Sequence, residues 1–171
     1  MASVTNVTAG ITVKWNKTAG ASGYIVYRKG TSGSWTRIAD VKSGSTTSYT
    51  DKTASGGSTY SYTVRAYAGK TMSDWHNYKS LKRLADPKFD SAYAVKAGIT
   101  LKWRKVTGAG GYILYRKAPG GSWARIADIK SGSTLKYVDT TAAKGVKYSY
   151  TIRAYSGKIM SSWNSVRNIA R

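Results

Sequence analysis

The sequence predicts an all-β protein made of two tandem, seven-stranded antiparallel β-sandwiches, and three observations carry that expectation. Glu and Gln, both good helix formers, are absent, while Tyr, Thr, Val, Ile, Trp, Ser and Gly abound. The chain also repeats itself: with Ile99 set over Ile11, 88 positions earlier, the two halves align without a gap to the C-terminus. "AGITVKW" meets "AGITLKW", "GYIVYRK" meets "GYILYRK", and "YSYTVRAY" meets "YSYTIRAY". A period this long exceeds that of a solenoid and marks two copies of one domain. Finally, short β-rich runs alternate with clusters of Gly, Ser, Thr and Ala, as they do in a sandwich.

Each element of the first copy has its own signal. A weak strand covers residues 4–7. Ile11, Val13 and Trp15 alternate with Thr12 and Lys14, giving a half-buried strand. "TAGASG" (18–23) turns the chain into Gly23–Lys29, "GYIVYRK", which is apolar on both faces: Tyr24 and Val26 point one way, Ile25 and Tyr27 the other. A strand with one wet face should alternate, and this one does not. "GTSGS" (30–34) is a hairpin turn into residues 35–41. "SGSTTS" (43–48) leads to a short strand at 49–51, and "ASGGS" (54–58) to a long one at 60–67. After the turn "AGK" (68–70), a last strand covers 78–84. The domains are placed at 1–84 and 85–171, with the boundary in "LADPKFD" (84–90), where Pro87 begins the second unit at a strand edge.

These residues resemble the fibronectin type III domain: a Trp late in the second strand, Gly-Tyr-x-Val in the third, and Tyr-x-Tyr-x-Val-x-Ala in the sixth. The first copy matches at Trp15, Tyr24, Val26, Tyr60, Tyr62, Val64 and Ala66; the second at Trp103, Tyr112, Leu114, Tyr148, Tyr150, Ile152 and Ala154. The wording "GSWxRIAxVK" and "KRLADPK" is similar to repeats in secreted surface proteins of Gram-positive bacteria. The resemblance implies an immunoglobulin-like sandwich and an extracellular, cell-surface setting. The usual Leu-x-Pro before the sixth-strand Tyr is replaced by "KTASGGSTY" and "TTAAKGVKY", so the hydroxyl corner of Tyr60 and Tyr148 is an expectation for the structure to test.

Composition narrows the function. Among 171 residues, 28 Lys and Arg face seven Asp, for a net charge of +21. Such a charge attracts polyanions, although lysines spread over strand edges also keep sheets from aggregating. The basic residues are interleaved with strands rather than clustered, and no nucleic-acid recognition signature accompanies them, so nucleic acid is expected to bind only non-specifically. No cysteine offers a disulfide or thiolate site. No apolar run suits a membrane helix, so no membrane insertion is expected, and "MASVTNVTAGITVKW" lacks the pattern of a secretion signal. Catalytic groups are sparse. His76, the single histidine, has Asn164 as its counterpart and reads as a surface residue. The pairs Asp40/Asp128 and Asp51/Asp139 read as turn caps. No catalytic residue, cofactor or metal site is expected.

The contact surface is sought on the outer face of the third and sixth strands. Tyr27, Arg65 and Tyr67 lie there, with Ile25 and Thr63; the twin set is Tyr115, Arg153 and Tyr155. An Arg between Tyr rings would support the sheet through cation–π attraction and leave an aromatic, cationic patch. Trp15 and Trp103 read as core. Trp35 and Trp123 are divided between core and surface. Trp75 and Trp163 either plug the sandwich end, the preferred reading, or stack on sugar rings. The leading expectation is a non-catalytic binding or spacer module of a bacterial surface protein, with an anionic polymer or glycan, or another protein, as partner. The alternatives are a phage virion decoration or tail adhesin, accessory domains of a glycan-degrading enzyme, or an engineered consensus repeat.

Overall fold

The computed structural model describes residues 1–75, 77–163 and 165–171; His76 and Asn164 lie outside the described residues. The chain forms two compact units, Met1–Arg83 and Leu84–Arg171. Among the described residues every regular element is a strand, and no helix is long and apolar enough to cross a membrane.

The first unit contains β1 (Ser3–Val7), β2 (Gly10–Lys14), β3 (Gly23–Lys29), β4 (Thr36–Val41), β5 (Ser48–Asp51), β6 (Thr59–Ala68), β7 (Thr71–Met72) and β8 (Lys79–Lys82). Strands β1, β2 and β5 make one antiparallel sheet with β2 central. The other sheet runs β4-β3-β6, and both β7 and β8 pair with the far edge of β6. The second unit repeats this plan with β9 (Phe89–Val95), β10 (Gly98–Trp103), β11 (Gly111–Lys117), β12 (Ala124–Ile129), β13 (Lys136–Asp139), β14 (Lys147–Ser156), β15 (Ile159–Met160) and β16 (Val166–Ala170).

Among the described residues each unit therefore has one strand more than the seven expected. The extra one, β7, folds back on β6 through a two-residue loop, pairing Ala68 with Thr71 and Tyr67 with Met72. Gly69, at φ 56°, takes the first loop position, which requires a positive φ in the hairpin turns that match strand twist. "AGK" is thus the tip of a hairpin rather than a plain turn. Strand β8 holds the opposite end of the same edge, Thr59 to Tyr62. The connection between β7 and β8, which carries Trp75, leaves the ladder there.

Strand β3 is central, as its two apolar faces require. Tyr24 and Val26 join Ile11, Val13, Trp15, Tyr62, Val64 and Ala66 in the core between the sheets. Gly23 opens the strand because a Cβ there would meet the Tyr67 ring at 2.4 Å. Between Val26 and Tyr27 the pairing with β4 shifts register, so Val26 faces Ala39 and Tyr27 faces Arg37. The extra residue, Ile38, packs with Ala39 against the core, and the same shift recurs between Leu114 and Tyr115. Bulges of this kind re-aim a side chain; here one falls at each tyrosine of the expected patch.

Two expectations for polar residues change. Asp51 and Asp139 do take turn-capping bonds, from Thr53 N at 2.9 Å and Thr141 N at 3.0 Å, but they are fully buried and do more. Arg28 pairs with Asp51 at 2.8 Å, and the Tyr62 hydroxyl donates to the same carboxylate oxygen at 2.8 Å. Burial alone would raise the Asp51 carboxyl, yet bonds from Thr53, Tyr62 and Arg28 outweigh it and hold the pKa below the ordinary value. Asp139 is held low in the same way by Tyr150, Thr141 and Arg116. Asp40 and Asp128 cap no turn. They sit in β4 and β12, where Asp40 accepts from Arg37 at 2.8 Å and from the Tyr67 hydroxyl at 3.0 Å. The tyrosine corner does form: Ser55 N donates to the Tyr60 hydroxyl at 3.1 Å, and Ala143 N to that of Tyr148 at 3.2 Å.

Candidate functional site: an aromatic and cationic sheet face

The outer face of the β4-β3-β6 sheet is built around Ser73. Its N–H donates to Ala66 O at 2.9 Å, its hydroxyl accepts from Ala66 N at 3.1 Å, and its carbonyl accepts from Arg65 Nε at 2.7 Å. These bonds tie the chain leaving β7 to the C-terminal half of β6 and anchor the guanidinium of Arg65 there. Two residues on, Trp75 lies over that guanidinium, with its ring centre 4.9 Å from the central carbon, and against Tyr27 at 4.7 Å. Trp75 thus covers the face of the sheet instead of plugging the sandwich end. A ring pair contributes about 0.5–1.5 kcal/mol beyond area burial and an exposed cation–π contact about 0.5–1 kcal/mol, enough together to seat an indole that stays half exposed.

The cover extends sideways. Trp35, just before β4, stacks on Trp75 at 6.3 Å, and Tyr78 meets Trp35 edge-on at 5.8 Å. Lys29 Nζ lies 5.0 Å from the Trp35 ring and 5.3 Å from that of Tyr78. Beneath, Thr63 is paired with Tyr27 and buried, although it points away from the core. Ile25 on the same face is buried as well. The outer face of "GYIVYRK" is thus apolar because it has a layer of its own above it.

The second unit reproduces the frame. Ser161 is buried and binds Ala154 and Arg153 as Ser73 binds Ala66 and Arg65. Trp163 lies 4.8 Å over Arg153 and 4.6 Å from Tyr115, above buried Thr151. The sideways extension differs. Lys117 Nζ stands 5.6 Å over Trp123, but the residue equivalent to Tyr78 is Val166, and among the described residues no ring packs against Trp123. Between Tyr115, Trp123, Thr151, Trp163 and Val166 lies an open hollow of about 490 Å³.

Of the eight expected contact residues, the fold brings together Tyr27, Arg65 and Trp75, and likewise Tyr115, Arg153 and Trp163. The ring over each arginine is the tryptophan, not a tyrosine. Tyr67 and Tyr155 stand apart, their hydroxyls donating to Asp40 at 3.0 Å and Asp128 at 3.1 Å; partial loss of water contact, and then the bonded carboxylate, raise both tyrosine pKa values. Sequence reasoning left out Lys29, Tyr78, Lys117 and Val166, and left Trp35 and Trp123 undecided. The repeated stretch "GKTMSDW"/"GKIMSSW" held the signal, a Ser two residues before a Trp in both copies. Among the described residues no cluster of His, Cys, Asp or Glu could hold a metal.

No family model matches the chain, and a search of curated proteins finds no match. A solved structure shares the fold. A two-domain fibronectin type III segment from chicken tenascin superposes with a TM-score of 0.50 at 15% identity, covering 99% of this chain and 97% of that one. The FN1–FN3 domains of chicken CNTN1 give a TM-score of 0.44 at 16% identity, covering 98% of this chain and 63% of that one. The architecture is that of two tandem fibronectin type III-like β-sandwiches.

Proposed function

We propose that the chain is a non-catalytic, extracellular binding and spacer module of a bacterial surface protein, and that it holds an anionic polysaccharide on the outer faces of its five-stranded sheets. The single observation behind this reading is the covered face itself, an indole over an arginine beside a tyrosine, built twice on a chain of charge +21. Flat, half-exposed indoles offer packing for the apolar face of a pyranose ring, and the cations around them suit carboxylate or sulfate substituents. A sandwich can carry many activities, so the assignment rests on the face and not on the fold. The extracellular setting rests on the similarity of "GSWxRIAxVK" and "KRLADPK" to surface-protein repeats.

Heparin, titrated calorimetrically at rising salt, serves as the test polymer. Trp75→Ala combined with Trp163→Ala removes no charge and, at half-exposed positions, spares the cores. This variant is expected to lose at least about tenfold in affinity at physiological salt. The control removes four charges elsewhere, by changing Lys42, Lys70, Lys130 and Lys158 to Ser, and should lose less at that salt, since exposed charge is screened within roughly 8 Å. If the lysine control loses as much or more, attraction is diffuse and the face only supports the sheet.

A further inference from the structure

We infer that the two repeats are unequal as binding sites: the second presents an open groove for one acidic sugar ring, whereas the first closes its own with Tyr78. This rests on the glycan reading above and sharpens it to one site and one residue. Val166 and Tyr78 stand 88 positions apart, at the same place in the repeat. Tyr78 sets a hydroxylated six-membered ring edge-on to Trp35 at 5.8 Å, with Lys29 Nζ 5.3 Å from its centre. The fold thus displays, inside one repeat, the kind of group that fits beside the other. In the second repeat Trp123 and Lys117 keep the arrangement of Trp35 and Lys29, but Val166 supplies no ring. What remains is the hollow of about 490 Å³ floored by Thr151 and walled by Tyr115, Trp123 and Trp163. That volume falls in the range of small-ligand sites, roughly 300–1,000 Å³.

Charge decides what the ring carries. Lys117 lies over Trp123 and Arg153 under Trp163, so cations flank both indoles that wall the hollow. Neither cation lines the hollow itself, but each lies within about 6 Å of an indole that does, on a chain of net charge +21, which favours a pyranose bearing carboxylate or sulfate over a neutral sugar. A base of single-stranded nucleic acid also stacks on indoles, but a bound strand needs a positive track for its backbone, and the basic residues of this chain are interleaved among strands. An acidic sugar needs only the local pair.

The reciprocal exchange tests this, because each variant carries the residue that the other repeat already accepts at that place. A heparin-derived tetrasaccharide is titrated by calorimetry into the full chain, into Val166→Tyr and into Tyr78→Val. The parent is expected to bind one tetrasaccharide, Val166→Tyr to lose at least about tenfold in affinity, and Tyr78→Val to raise the stoichiometry toward two. A desulfated tetrasaccharide should bind at least tenfold more weakly than the sulfated one. Two equal sites in the parent, or unchanged binding in Val166→Tyr, overturn the inequality of the repeats while leaving the glycan reading intact. No tetrasaccharide binding by the parent overturns both. If oligo(dT) competes for the hollow and is lost in Val166→Tyr with greater affinity than the sugar, the ligand class is wrong.

Discussion

Tyr78 and Val166 occupy one place in two copies of one fold, and the surroundings of each differ less than the residues do. Both stand beyond a Trp held over an Arg, beside a second Trp with a Lys on its face. The frame that seats the rings, from Ser73 and Ser161 to the bulges at Tyr27 and Tyr115, is the same in both. The cores differ more broadly. Leu101, Leu114 and Ile152 replace Val13, Val26 and Val64, and Phe89 and Val106, both buried, replace Met1 and Thr18. The second repeat thus combines the fuller interior with the more open face. A sandwich that gains stability inside can leave apolar surface uncovered outside, because the two faces of its larger sheet are packed independently.

Each repeat has a core of its own, which should fail without the other. Trp15→Ala and Trp103→Ala should each destabilise their own repeat by about 3–5 kcal/mol, as truncations of buried aromatics do. Hydrogen exchange resolved along the chain should show faster exchange in the truncated repeat alone. Equal acceleration in both repeats from either variant would mean one merged cooperative unit, and the comparison would collapse.

That interior was largely legible in the sequence, and the face was not. Alternation at Ile11, Val13 and Trp15 and the doubled apolarity of "GYIVYRK" are local patterns, and both place residues where the structure has them. Trp75 lies in a connection with no periodicity, and its position is set by bonds from Ser73 to Ala66 and Arg65, which depend on where β7 ends. Asp51 gathers Arg28 from β3 and Tyr62 from β6 across the space between sheets, so spacing along the chain reveals only its turn-capping half. The bulge left one trace, adjacent Ile38 and Ala39 breaking the alternation of β4.

The three added methylenes, at about 0.8 kcal/mol each, together with Phe89 and Val106, should make the second repeat more stable by about 2–4 kcal/mol. Urea titration followed by exchange should show the first repeat opening at the lower concentration. The reverse order would mean that the open face costs more than the fuller core returns.

The smallest effect should be shared. Asp51 and Asp139 are both held below the ordinary carboxylate pKa in the folded state. Each therefore contributes stability that is complete above the unfolded value near pH 4 and lost as pH falls through the folded one. Urea midpoints taken from about pH 7 down to pH 2 should fall in parallel for the two repeats, and Asp51→Asn should flatten the acid limb of the first alone. A repeat whose midpoint ignores acid would show that its buried carboxylate does not act as its twin does.

The tryptophans of the cover layer also have an optical consequence. The six indoles sort into two buried ones, Trp15 and Trp103, and four at the sheet faces, Trp35, Trp75, Trp123 and Trp163. In the first repeat Trp35 and Trp75 lie 6.3 Å apart at 29°, close enough for their transitions to couple as an exciton pair and add a signed couplet to the circular dichroism. Trp123 and Trp163 open directly on the hollow, so their emission reports its occupancy without a label. Iodide, drawn by the positive surface, reaches the face indoles and leaves the interior ones dark to it. The two repeats are thereby spectroscopically distinct chromophores within one chain, separable by light although built on one fold.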